Sequence, residues 1–112
     1  MAEHSALAAG KWQSLTLIEQ LANVGSEVAR AINAHEGRLI ERRDSAVKRG
    51  LELFDLTAAD ERWRGHRRRE VLRAREEFCR LFWGEADGAA AAALNRYFLQ
   101  FAFAARRAAG QL

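Results

Sequence analysis

Proline is absent from this chain of 112 residues, cysteine occurs once and histidine three times. Without proline, nothing in the sequence forces a break inside a helix. The single cysteine, Cys79, has no partner for an internal disulfide. A secreted disulfide scaffold is therefore excluded, and a cytoplasmic setting is the expectation. Histidines stand only at His4, His35 and His66, and none completes the Glu-x-x-His spacing of a metal-binding bundle. No metal or other cofactor is expected. Long apolar runs are lacking too: the best candidate, residues 89–105, is interrupted by Asn95, Arg96 and Gln100. A membrane-spanning helix needs about 20 apolar residues, so no span is expected. Residues 1–10 carry Glu3 and His4 and no apolar core, which does not fit a secretory leader. Phosphate-cradling glycine loops, dinucleotide fingerprints and the Gly-x-Ser-x-Gly elbow are missing as well.

What is present is helix-forming. Hydrophobic residues make up 49% and charged residues 29%, the balance of one folded domain. Alanine and arginine, both good helix formers, are abundant. Thr16 and Glu19 have the spacing of a capping box ahead of Leu17, Leu21, Val24, Val28 and Ile32. That stripe predicts a helix over 17–35, with Gly25 beside it as a point of close approach. After a break at 36–38, Leu39, Ile40, Val47, Leu51, Phe54 and Ala58 predict a second helix over 38–58. Val71, Leu72, Phe78, Cys79 and Phe82 predict a third over 65–83, ended by Gly84. A loop over 85–88 leads to a fourth helix over 89–109, with Leu94, Phe98, Phe101 and Ala105 on one face. Short connections make antiparallel neighbours. The expected fold is all-α: an antiparallel up-down four-helix bundle over 14–109, with a loose arm at 1–13 and a tail at 110–112.

Charge is unevenly distributed. Residues 1–61 hold 7 Lys and Arg against 10 Asp and Glu, whereas residues 62–112 hold 11 against 5. The basic excess peaks in a run of eight arginines between positions 62 and 80. Arginine bonds phosphate through a planar fork. Arg62, Arg64, Arg67, Arg68, Arg69 and Arg73 are therefore the candidate phosphate ligands, and Trp63, if exposed, would stack on a base. The plain alternative is a solvated face laced with pairs such as Glu70 with Arg73 and Glu76 with Arg80. Glu27, Asp55, Arg75 and Glu76 sit at or beside apolar stripes, where a carboxylate and a guanidinium are expected to pair as a structural network. Arg30 and His35 have the Arg-x4-His spacing used by the HEPN ribonucleases, helical bundles of similar size. Cys79, on an apolar face, reads as inert core. The fourth helix, with Tyr97, Phe98, Phe101, Phe103 and several alanines, suits contact between subunits.

Two segments resemble a family of small, uncharacterised bacterial and archaeal helical proteins. These are Trp12 to Leu15 with Glu19 to Val28, and Leu51 to Thr57. Arg73-x-Arg75-Glu76 and Tyr97 to Ala102 resemble that family's third helix and ending. In size and layout the chain is also similar to the accessory bundle proteins of diversity-generating retroelements and to 23S rRNA intervening-sequence proteins. That similarity implies a basic homo-oligomer that binds RNA and serves a reverse transcriptase. The expectation is thus a non-enzymatic scaffold for RNA or DNA. A protein–protein module without nucleic acid is the alternative, and a HEPN-like ribonuclease a further one.

Overall fold

The hydroxyl of Thr16 accepts the amide of Glu19 at 3.1 Å while the Glu19 carboxylate accepts the amide of Thr16 at 2.8 Å. This closed capping box starts helix α1, Leu17–Glu36. Helices α2 (Ile40–Ala58), α3 (His66–Trp83) and α4 (Gly88–Ala108) follow. Short 3-10 turns at Trp12–Ser14 and Glu61–Trp63 precede α1 and α3. Asp87 caps α4 by accepting the amide of Ala90 at 3.1 Å. The computed structural model describes residues 10–84 and 87–110, and no strand occurs among them.

The chain is an all-α four-helix bundle. Each helix packs on its neighbours in sequence and α4 closes back onto α1. Residues 37–39 alone join α1 to α2. A helix of this length rises about 30 Å, so a link that short forces the two to run antiparallel. Val24, Val28 and Ile32 of α1 face Val47, Leu53 and Phe54 of α2, Val71 and Phe78 of α3, and Leu94 and Phe98 of α4. Phe54 is at the centre, with ring centroids 5.6 Å from Phe78 and 5.9 Å from Phe98. Burying each such side chain stabilises by roughly 1.5–3 kcal/mol. Packing is uneven: α1 lies tight against α2 and α4, while α3 stands off from α4. The gap is a cleft of about 540 Å³.

The sequence boundaries hold to within two residues, with one correction. The arm expected over 1–13 ends sooner, because Trp12 is completely buried in the core. His4, residues 85–86 of the loop and residues 111–112 of the tail lie outside the described residues.

Gly25 is where α1 and α4 touch. A β-carbon there would stand 2.7 Å from Cβ of Phe98, which has no freedom to retreat. Gly25→Ala gains about 1 kcal/mol of helix propensity, but overpacking costs about 1–3 kcal/mol. The expected result is a net loss of stability and a lower Tm in thermal unfolding; a raised Tm would place the two helices further apart than described.

Candidate nucleic-acid interface

The basic run begins in the connection between α2 and α3, where helical periodicity cannot say which way a side chain faces. Asp60 decides it. Its carboxylate is 3% exposed and accepts from the Arg62 amide at 3.1 Å, Arg62 Nε at 3.0 Å, Arg62 Nη2 at 2.7 Å and Gln20 Nε2 at 3.0 Å. Gln20, itself fully buried, also donates to the Trp12 carbonyl at 2.9 Å and accepts the Trp63 indole N–H at 2.7 Å. The Trp12 indole donates to the Thr57 hydroxyl at 3.2 Å, which donates to the Leu53 carbonyl. The buried side-chain nitrogens and oxygens of these residues all have partners, as burial demands; Arg68, which donates to the Asp60 carbonyl at 3.4 Å, has a buried Nε without one. With charge-assisted bonds from Arg62 and Gln20, the Asp60 carboxyl is held down at about 2.

The clamp corrects two expectations. Trp63 is buried, with the Arg62 and Arg67 guanidiniums over its ring at 4.3 and 5.8 Å, so it offers no face to a base. Arg62 has its fork on Asp60 and donates further to the Leu15 carbonyl at 2.7 Å, so it is a structural residue. Arg64 and Arg68 both lie near Glu61, at 3.3 and 4.0 Å. Further along, Arg75 pairs with Asp55 and Arg80 reaches Glu77 at 3.8 Å. Arg67, Arg69 and Arg73 have no carboxylate partner among the described residues.

Those three stand on a helix with an unusual start. No side chain caps α3, and its first turn holds His66, Arg67, Arg68 and Arg69 with no acid. The positive end of a helix dipole thus faces a cluster of cations, an arrangement unfavourable by about 0.3–1 kcal/mol per charge. Arg69 and Arg73 line the cleft to α4 together with His66, Glu70, Glu77 and Tyr97. The Tyr97 hydroxyl donates to Glu70 at 2.6 Å, and half-burial beside that carboxylate raises its pKa. On α4 stand Arg96, Arg106 and Arg107 and no acid, with Arg96 turned to the groove against α1 and not to this cleft. Taken together, α3 and α4 hold nine arginines against three glutamates. Helices α1 and α2 hold five Lys and Arg against seven Asp and Glu. The sequence asymmetry is therefore a spatial one, with basic and acidic walls on opposite sides of the bundle.

The expected polar network forms only in part. Asp55 and Arg75 do pair, at 2.9 Å, yet Asp55 is 63% exposed and lies at the surface. Arg75 also covers Cys79, which is partly buried. Glu76 is exposed, without an ion-pair partner among the described residues. Glu27 is the buried member, and it bonds Arg30 at 2.6 Å and Arg49 at 3.0 Å instead of Arg75. Arg30 and His35, five residues apart, lie about 140° apart around α1. Arg30 engages Glu27, whereas His35 meets Arg43 at 3.5 Å and the edge of Phe82. The residues missed in the sequence are Gln20, Asp60 and Trp12. Asp60 had one signal, as an acid at the start of a non-helical connection, where Asp caps turns.

No helix among the described residues is long and apolar enough to cross a membrane. No group of three or more His, Cys, Asp and Glu among them converges as a metal site would. No family model matches the chain, nor does any curated protein or solved structure.

Acid tests the clamp. The Asp60 carboxyl titrates lower when folded than its ordinary 3.8. Its contribution to stability is therefore complete above about pH 4 and is lost as the pH falls toward about 2. Asp60→Asn is expected to lower Tm at pH 7 and to flatten the fall in Tm between pH 4 and 2. Parallel curves for the two proteins would show that Asp60 is not the titrating anchor.

Proposed function

We propose that the protein is a non-enzymatic scaffold that binds the phosphate backbone of a nucleic acid along its α3–α4 wall. The observation that carries this reading is the uncapped start of α3. Four cationic or titratable side chains crowd the positive end of the helix dipole, and Arg67, Arg69 and Arg73 have no carboxylate to answer them. A phosphate there would relieve the repulsion, accept free N–H groups of the first turn and engage guanidinium forks at once. Contacts of this kind read the backbone and not the base sequence. With Trp63 buried, no base-stacking platform contributes.

A second reading is favoured by a different observation. On α4, Leu99 is 52% and Phe103 44% exposed, and Trp83 at the end of α3 is 68% exposed. Exposed large apolar side chains suit assembly with further copies of the chain. The two readings coexist if a ring or dimer presents several basic walls to one strand.

Filter binding across a salt series decides between them. Neutralising three or more phosphates gives a log–log slope of about −3 or steeper on duplex DNA. Replacing Arg67, Arg69 and Arg73 together by alanine is expected to weaken binding and reduce the slope by about 3. Absence of binding at low salt, alongside an oligomer in light scattering, would leave assembly as the function.

A further inference from the structure

Helices α1 and α4 leave an uncovered face on the outside of the bundle, and the nucleic-acid reading makes no use of it. Ile18, Ala22, Gly25 and Ala29 fall within about 60° of one another around α1. The last three form one side of a groove of about 290 Å³, and Asn95, Leu99 and Ala102 of α4 form the other. Ile18 is 41% exposed, and it joins Leu99 and Phe103, one turn further along α4, in holding a large apolar side chain in water on this face.

The face is also self-complementary. Beside the apolar stripe, Glu19, Asn23, Ser26 and Arg30 form a second stripe on α1, and all four are exposed. Glu19 and Arg30 lie equally far before and after the bond between Val24 and Gly25, and so do Asn23 and Ser26. Gly25 is level with Phe98, since a β-carbon there would stand 2.7 Å from Cβ of Phe98. A half-turn about an axis crossing both helices at that level therefore sets acid against base and amide against hydroxyl on α1. On α4 it sets Leu99 against Leu99, brings Arg96 beside Phe103, and puts no arginine opposite another. Neither ion has to be unpaired beforehand. Glu19 spends one oxygen on the Thr16 amide, and Arg30, 63% exposed, spends one nitrogen on Glu27.

We infer that this face binds a second copy of the chain, as a two-fold dimer in which α1 lies antiparallel on α1 and α4 on α4. The inference rests on the assembly reading above and specifies its surface. Opposite charges at symmetry-related positions select the same sequence as the occupant, because a foreign helix carries them in that order only by chance. Two helices about 30 Å long and about 10 Å wide present roughly 600 Å² per copy. The total of roughly 1,200 Å² is within the range of stable pairs. Helix α3 takes no part, so its arginines stay open in the dimer.

The test uses the full chain in sedimentation equilibrium, and a monomer–dimer equilibrium is the expected result. Leu99→Arg, at the axis, is expected to raise the dissociation constant about thirtyfold or more, the effect of a central contact. Glu19→Gln keeps the capping box and is expected to raise it about two- to fivefold, as loss of an exposed ion pair does. Leu72→Arg changes a similarly exposed leucine on α3 and is expected to leave it within about twofold. In a Cys79→Ser background, Leu99→Cys is expected to oxidise to a disulfide-linked dimer and Leu72→Cys is not; this readout stands even if Leu99→Arg fails to fold. A dimer indifferent to Leu99→Arg, or equal cross-linking at positions 99 and 72, overturns this interface while assembly through another surface stands. A monomer at every concentration up to about 1 mM overturns the interface and the assembly reading together.

Discussion

The carboxylate of Asp60 is the constraint on which the basic half of this molecule depends. Two buried tryptophans, a buried glutamine and an arginine meet around it, and they come from the N-terminal turn, α1 and the α2–α3 connection. Such a network is favourable only when complete, because one missing partner leaves a desolvated polar group costing about 1–3 kcal/mol. Completion therefore fixes several things together. It seals the end of the bundle with Trp12, turns Trp63 inward, holds Arg62 against the protein and sets where α3 begins.

The start of α3 sets the rest. Once Arg62 and Trp63 belong to the clamp, the arginine run divides into a structural part and an exposed part. Arg64 and Arg68 stay near Glu61, and Arg75 braces α3 against α2 through Asp55. Arg67, Arg69 and Arg73 remain open to solvent or cleft, the first two beside a helix terminus that already repels them. Such a cluster adds little to stability, since surface pairs contribute only about 0–1 kcal/mol and unpaired like charges oppose folding. An anionic partner is what we propose for it. The opposite wall, with more acids than bases, gives the bundle a charge direction that orients any such encounter.

Most of the fold was legible in the sequence, because long amphipathic stripes and a capping box report directly on helix faces and starts. Thr16, Leu21, Val28, Phe54 and Phe98 all stand where periodicity puts them. The candidate site was legible only in part. Trp63 lies between two arginines in a segment with no 3.6-residue repeat, so composition suggested exposure while tertiary hydrogen bonds imposed burial. Trp12 precedes the first stripe and carries no periodic signal at all; its burial follows from the hydrogen bonds of Gln20 and Thr57. Asp55, set among Leu53, Phe54 and Leu56, reads as inward by its neighbours, yet one residue is 100° of helix rotation and places it at the surface. Glu27 was noticed beside its stripe, but its partners lie in α1 and α2, and no local pattern could name Arg49.

The most direct measurement is the accessibility of Trp63. Trp83 is 68% exposed, while Trp12 and Trp63 are 1% and 8% exposed. A Trp83→Phe variant leaves only the two clamp indoles to fluoresce. Blue-shifted emission is expected from that variant, weakly quenched by iodide or acrylamide and unchanged when nucleic acid is added. Red-shifted emission, readily quenched and altered by nucleic acid, would mean that Trp63 faces outward, that the clamp around Asp60 is not formed, and that the division of the arginine run is wrong.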